Sequence, residues 1–86
     1  MKKIEKTLKA LANHRRLAIL KYIKSHKEAP VSEAAEAIRL SFKATSKHLR
    51  ILAGADILEK EQRSLQMFYS LAPNLKPEAK QIINLL

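Results

Sequence analysis

Lys43, Ser46, Lys47 and Arg50 are spaced so that one face of an α-helix would carry all four. Ammonium and guanidinium groups in such a row neutralise phosphate oxygens. Arg, Lys and Ser can also reach base edges in a groove wide enough for a helix. No Asp or Glu occurs between Ala37 and Ala55, so nothing local cancels these charges. Thr45, His48, Leu49 and Leu52 fall largely on the opposite, inward side. A row of charges on a helix is ordinarily just a solvated face. Three things argue against that here: a tight turn precedes the helix, carboxylates are missing, and the whole chain is basic.

Other chemistry has little to work with. There is no cysteine, which excludes thiol catalysis, disulfides and Cys-based metal sites. One glycine cannot build a Gly-rich phosphate-cradling loop. His14 and His26 lie at opposite ends of one predicted helix, about 18 Å apart, so they cannot share a metal within a protomer. His48, beside Leu49, reads as a hydrogen-bonded packing residue. No Ser, His and carboxylate stand at a spacing that suggests a nucleophile with its base, so the chain is expected to have no catalytic residues, metal site or cofactor and not to be an enzyme.

The 86 residues bound the chain to one small domain, which buries only about 60% of its unfolded surface and has little stability to spare. Seventeen Lys and Arg against eight Asp and Glu give a net charge of +9, which implies a polyanionic partner. Two Phe, two Tyr and no Trp are too few rings for an RNA-stacking surface. No apolar run approaches the ~20 residues of a membrane span. The basic start, Met1 to Lys6, never opens into a hydrophobic stretch, so a cytoplasmic protein is expected.

The elements that must hold the basic row can be read from patterning. Ile4, Leu8 and Leu11 mark an amphipathic first helix over residues 3–11. Asn13 can cap a second, with Leu17, Leu20 and Ile23 facing inward, ending near residues 25–28 before Pro30. Ser32 can cap a short third helix with Ala34, Ala35 and Ile38 inside and Glu33 and Glu36 early, where carboxylates suit the helix dipole. Ser41 can cap a fourth, running to about Ala53. Only Arg39, Leu40 and Ser41 separate the last two, as in a helix-turn-helix. Residues 56–60 and 65–71 favour strands, with the polar residues 61–64 between them, giving a β-hairpin whose tip is flanked by Lys60 and Arg63. Glu59 and Glu61 oppose those two charges. A last helix fits 77–86, starting at Pro77, and its apolar set Ile82, Ile83, Leu85 and Leu86 is wide enough to need a partner.

Residues 11–20, LANHRRLAIL, resemble the second-helix signature of the ArsR/SmtB winged-helix repressors, and residues 40–52, LSFKATSKHLRIL, resemble that family's recognition helix. The run Met67-Phe68-Tyr69-Ser70-Leu71 is similar to its second wing strand. The likeness covers roughly residues 5–72 in order and spacing. It implies a mainly α fold with a small β-hairpin, α-α-α-α-β-β-α, in one winged helix-turn-helix domain over 1–86. It also implies a homodimer built through the first and last helices, which repress transcription from a bound operator. Ile4, Leu8, Leu11, Ile82, Ile83 and Leu86 would then line the dimer interface. Departures are visible: Arg39, Asp56 and Ser64 stand where the family often has Gly, and Thr45 where it has an apolar residue. The family's cysteine pair would fall on Pro30 and Ser32, and its second metal site has no counterpart in residues 74–86, which hold no His and one carboxylate, Glu78.

Double-stranded DNA is therefore the expected partner. Ser41, Phe42, Lys43, Ser46, Lys47, Arg50 and Arg63 are the expected contacts, with Phe42 on a thymine methyl and Ser41 with the helix N-terminus on a phosphate. Four phosphate contacts per protomer would give a log–log salt slope of roughly −7 per dimer. Two other readings compete: a winged helix serving only as a protein-binding module, and nonspecific binding of nucleic acid or anionic membrane through the Lys-rich first helix. The basic row speaks against the first. Missing aromatic anchors speak against a membrane.

Overall fold

The computed structural model describes residues 1–86. Its elements in chain order are α1 (Lys2–Leu11), α2 (His14–His26), β1 (Glu28–Pro30), α3 (Val31–Ile38), α4 (Phe42–Gly54), β2 (Leu58–Arg63), β3 (Gln66–Leu71) and α5 (Pro77–Asn84). The expected order of helices and hairpin holds, with one strand added. Residues 28–30 pair antiparallel with β3 through Glu28–Ser70, Ala29–Tyr69 and Pro30–Phe68, giving a three-stranded sheet of order β1-β3-β2. Three residues are too few to show alternation, and Pro30 weakens any strand signal. The strand exists only because β3 offers it an edge.

That strand also corrects the start of α3. Pro30 leads straight from the sheet into the helix and occupies the N-cap position with no side-chain cap, so Ser32 lies inside α3 and caps nothing. Two other caps form as the sequence suggests. Asn13 Oδ1 accepts from the backbone N–H of Arg15 and Arg16, at 3.0 and 3.1 Å, and Ser41 Oγ accepts from Ala44 N–H at 3.1 Å. The hairpin loop is tighter than expected. β2 continues through Arg63, which pairs with Gln66, so only Ser64 and Leu65 turn the chain. Ser64 supplies the positive φ, 56°, that a two-residue hairpin loop needs.

α2 runs through the middle of the fold. Ile19, Leu20 and Ile23 are fully buried while Leu17 is only half so, because α3, α4, α5 and the sheet cover α2 from several sides and widen its apolar stripe. α4 contributes Leu49 and Leu52, and the link into β2 contributes Ile57. Ala34 and Ala35 are buried too, small enough to let α3 sit close to its neighbours. Leu11 and Ile83 belong to this core, 3% and 2% exposed, so neither is free to line an interface with a second copy. α1 and α5 pack on each other. Four residues adopt positive φ, and all carry side chains: Lys27, Arg39, Asp56 and Ser64. Three of these, Arg39, Asp56 and Ser64, are the positions at which the family resemblance leads one to expect glycine.

Candidate nucleic-acid interface

Ser41 opens α4, and the next three turns set its two faces. Thr45, Leu49 and Leu52 are buried against the core, which turns Lys43, Lys47 and Arg50 outward. Arg50 Nη1 donates to Ser46 Oγ at 2.9 Å, one turn back, so the guanidinium lies along the helix surface with its other donors free. Neither Lys43 nor Lys47 takes part in an ion pair. Ser41, Lys43, Lys47 and Arg50 line one shallow groove on this face. Phe42 is 60% exposed and looks toward the hairpin across a second groove of about 390 Å³, shared with Ser46, Arg50, Lys60, Leu65 and Met67. Six of the seven expected contact residues are thus brought to one convex face and its edge.

Arg63 is placed differently. Its guanidinium donates to both carboxylate oxygens of Glu28, at 2.6 and 2.8 Å, and to Glu61 Oε1 at 3.0 and 2.7 Å. It also lies 4.5 Å from the centre of the Phe68 ring. The arginine holds the Glu28 carboxyl below the usual carboxylate range, and the two carboxylates raise the Arg63 pKa in turn. Arg63 therefore braces β1, β2 and β3 rather than standing free at the hairpin tip. The tip itself is Leu65, almost fully exposed. Residues 28 and 63 meet through β1, so no local signal reveals the pair.

His48 faces inward beside Leu49 as expected, and its partner is Arg16 of α2, 32 residues away, with Arg16 Nη1 3.1 Å from His48 Nδ1. Arginine can only donate, so Nδ1 accepts and the ring proton sits on Nε2. Arg16 also donates to Ala10 O at 2.5 Å and to Lys9 O at 3.2 Å. One side chain thus ties the last turn of α1 to the middle of α4. Burial, then the charges of Arg16, Arg15, Lys47 and His14, push the His48 pKa down, so the ring is neutral at physiological pH.

Thr45 has no exposed surface, and its hydroxyl finds no hydrogen-bond partner. An unpaired buried hydroxyl is destabilising, whereas a methyl in its place would suit the apolar surroundings. Thr45→Val is expected to raise stability by about 1 kcal/mol, or ~4–8 °C in melting temperature for a domain of this size. A thermal melt checks this, and a lowered midpoint would show that the hydroxyl is paired in solution.

A three-helix core with a helix-turn-helix over α3 and α4, a hairpin wing beside it and a free basic face on α4 define a winged helix-turn-helix DNA-binding domain. The family model described as a helix-turn-helix domain matches residues 8–61. Similar solved structures cover nearly the whole chain. Reduced HlyU from Vibrio cholerae is 34% identical over 98% of this chain and 84% of its own, with a TM-score of 0.82. The transcriptional repressor PagR of Bacillus anthracis is 26% identical over 98% of this chain and 92% of its own, at 0.80. A homodimeric winged helix-turn-helix DNA-binding domain from Mycobacterium bovis, a possible ArsR-family transcriptional regulator, is 25% identical over 98% and 74%, at 0.82. No curated protein sequence matches the chain. The chain belongs to the helix-turn-helix domain family, in its ArsR-type winged-helix branch of transcriptional regulators. No helix is long and apolar enough to cross a membrane.

Proposed function

We propose that this chain is a homodimeric repressor, one domain per protomer, that binds a roughly palindromic operator. The observation that carries the DNA reading is the α4 face: Lys43, Lys47 and Arg50 exposed together, with no acidic residue from Ala37 to Ala55. α4 would enter the major groove, with Lys43 and Lys47 on phosphates and with Arg50 and Ser46 within reach of base edges. Phe42 is positioned for a thymine methyl, and Ser41 for a phosphate at the helix N-terminus. Arg63 could take a phosphate only by exchanging Glu28 and Glu61 for it, which makes it the weakest contact of the set.

Dimerisation rests on α1 and α5. Ile4 and Leu8 are 43% and 45% exposed at i, i+4 spacing, and Leu85 is largely exposed on the neighbouring helix, with Ile82 and Leu86 half-buried between. Such a patch on an 86-residue chain is what a second copy would cover. The M. bovis relative is a homodimer, which supports this reading. Repression is supported by PagR, a transcriptional repressor.

Selection of bound sites from fragmented genomic DNA tests this directly. The enriched sites are expected to share two-fold symmetry, with half-sites about one helical turn apart. Sedimentation is expected to find a dimer at micromolar concentration and a monomer for Leu8→Asp. Sites without symmetry, together with a monomeric wild type, would remove the dimer and the palindrome.

A further inference from the structure

We infer that the DNA-binding surface does not end at α4 but continues onto α2, where Arg15, Lys21 and Arg39 form a track for the phosphate backbone flanking the major-groove contact. This rests on the proposed entry of α4 into that groove. The largest concavity of the chain, about 560 Å³, runs along the outer face of α2 where it meets the end of α3, and is lined by His14, Arg15, Lys21, Tyr22, Ile38 and Arg39 among others. None of its three cations takes part in an ion pair or a side-chain hydrogen bond, although the chain pairs Lys9 with Glu5 and Arg63 with Glu28 and Glu61. The nearby Glu33 accepts a hydrogen bond from Tyr22 Oη at 2.5 Å.

The groove adjoins the α4 face on two sides. Arg39 lies two residues before the Ser41 cap. At the other end, Arg16, next to Arg15, places its Nη1 3.1 Å from His48 Nδ1, which sets the start of α2 beside the middle of α4. Arg39 and Arg15 thus border the α4 face near its start and its middle, with no acidic residue on α4 itself.

Arg39 adds an independent observation. It sits in the left-handed region, φ 56° and ψ 50°, as the C-cap of α3. A β-carbon there is unfavourable by about 1 kcal/mol relative to glycine, and the short polar side chains that tolerate this conformation are not arginine. The long cationic side chain makes no ion pair and no side-chain hydrogen bond. A strained backbone carrying an unpaired cation, at the rim of a basic groove, is what a ligand contact looks like. An open groove whose cations follow one another along a helix fits an extended polyanion, and the adjoining α4 face makes that polyanion the same DNA.

The test is the salt dependence of binding to a mixed-sequence duplex of about 30 bp, three helical turns. Each neutralised phosphate contributes about 0.9 to the log–log slope, so three more per protomer move the dimer's slope from roughly −7 to about −12. Arg15→Gln/Lys21→Gln/Arg39→Gln is expected to return it to about −7 with an unchanged fold by circular dichroism. Arg39→Gly alone should flatten the slope by about 1.8 per dimer while melting no lower than wild type, which keeps the test open if the triple variant folds poorly. A triple variant that is folded and keeps the wild-type slope overturns the track, as does weaker binding at an unchanged slope. If the slope survives Lys43→Ala/Lys47→Ala but falls in the triple variant, the track stands and the α4 assignment is what fails.

Discussion

Lys43→Ala/Lys47→Ala is expected to weaken binding to duplex DNA by roughly 100- to 1,000-fold at physiological salt and to flatten the dimer's log–log salt slope by about 3.6. Both lysines stand outward from α4, unpaired, on the face opposite Thr45, Leu49 and Leu52. Removing them touches no core contact, so the melting temperature should stay within the small range ordinary for surface substitutions. Four lost contacts in a dimer each forfeit counterion release, the term that dominates binding to the phosphate backbone. The loss should be similar on specific and nonspecific duplexes, because lysine on phosphate positions the helix without reading sequence. Arg50→Ala should behave otherwise and blur the preferred site, because a guanidinium can bridge the O6 and N7 of a guanine. Fluorescence anisotropy over a series of salt concentrations measures both effects. Affinity and slope that stay at wild-type values in the double lysine variant would remove α4 from the interface.

What could be read in advance followed from how local each cause is. Asn13 and Ser41 cap helices through bonds to residues two and three positions on, and both were legible from the chain. The outward row of α4 was legible because helical period alone sorts Lys43, Lys47 and Arg50 from Leu49 and Leu52. β1 was not, because its hydrogen bonds run to Ser70 and Phe68, some forty residues away. Missing β1 hid the reason Glu28 matters and left Arg63 looking like a free cation at the hairpin tip, when the tip is Leu65. Apolar stripes were legible as stripes, but periodicity does not say which layer covers them. Leu11 and Ile83 look like the rest of their helices in sequence, yet they fill the protomer's own core while Ile4 and Leu8 remain uncovered. Of the four left-handed positions, Arg39, Asp56 and Ser64 were legible only through the resemblance to a family that often has glycine there, and Lys27 carried no signal at all. Here Arg39, Asp56 and Ser64 hold those turns with side chains, and of these three only Arg39 is a cation.

Arg16→Met is expected to be the most destabilising single substitution outside the aliphatic core, at about 2 kcal/mol, or ~8–16 °C in melting temperature. The methionine keeps much of the apolar stem and removes only the guanidinium. Two carbonyls of the last α1 turn, Lys9 O and Ala10 O, then lose their donor, and His48 Nδ1 loses the bond that fixes its tautomer. The consequence reaches the interface, because the same guanidinium relates α1, which carries the exposed Ile4 and Leu8, to α4, which carries the basic row. Freed from the clamp, α1 should hold a dimer less well, and DNA affinity should fall although no contact residue has changed. The pH dependence separates this from ordinary loss of packing. His48 has its pKa lowered in the folded chain from an ordinary 6.5, so the unfolded chain binds the extra proton first as pH falls. Its contribution to stability is fully present above 6.5 and is lost as pH drops through the folded value. Without the Arg16 charge, that folded value rises toward 6.5, and the loss of stability on acidification from this group should shrink. His48→Gln, which retains an acceptor for Arg16 but cannot titrate, should keep most of the stability and lose this pH dependence altogether. Equal acid sensitivity in wild type, Arg16→Met and His48→Gln would separate the histidine from the clamp and leave Arg16 as a cap on α1 alone.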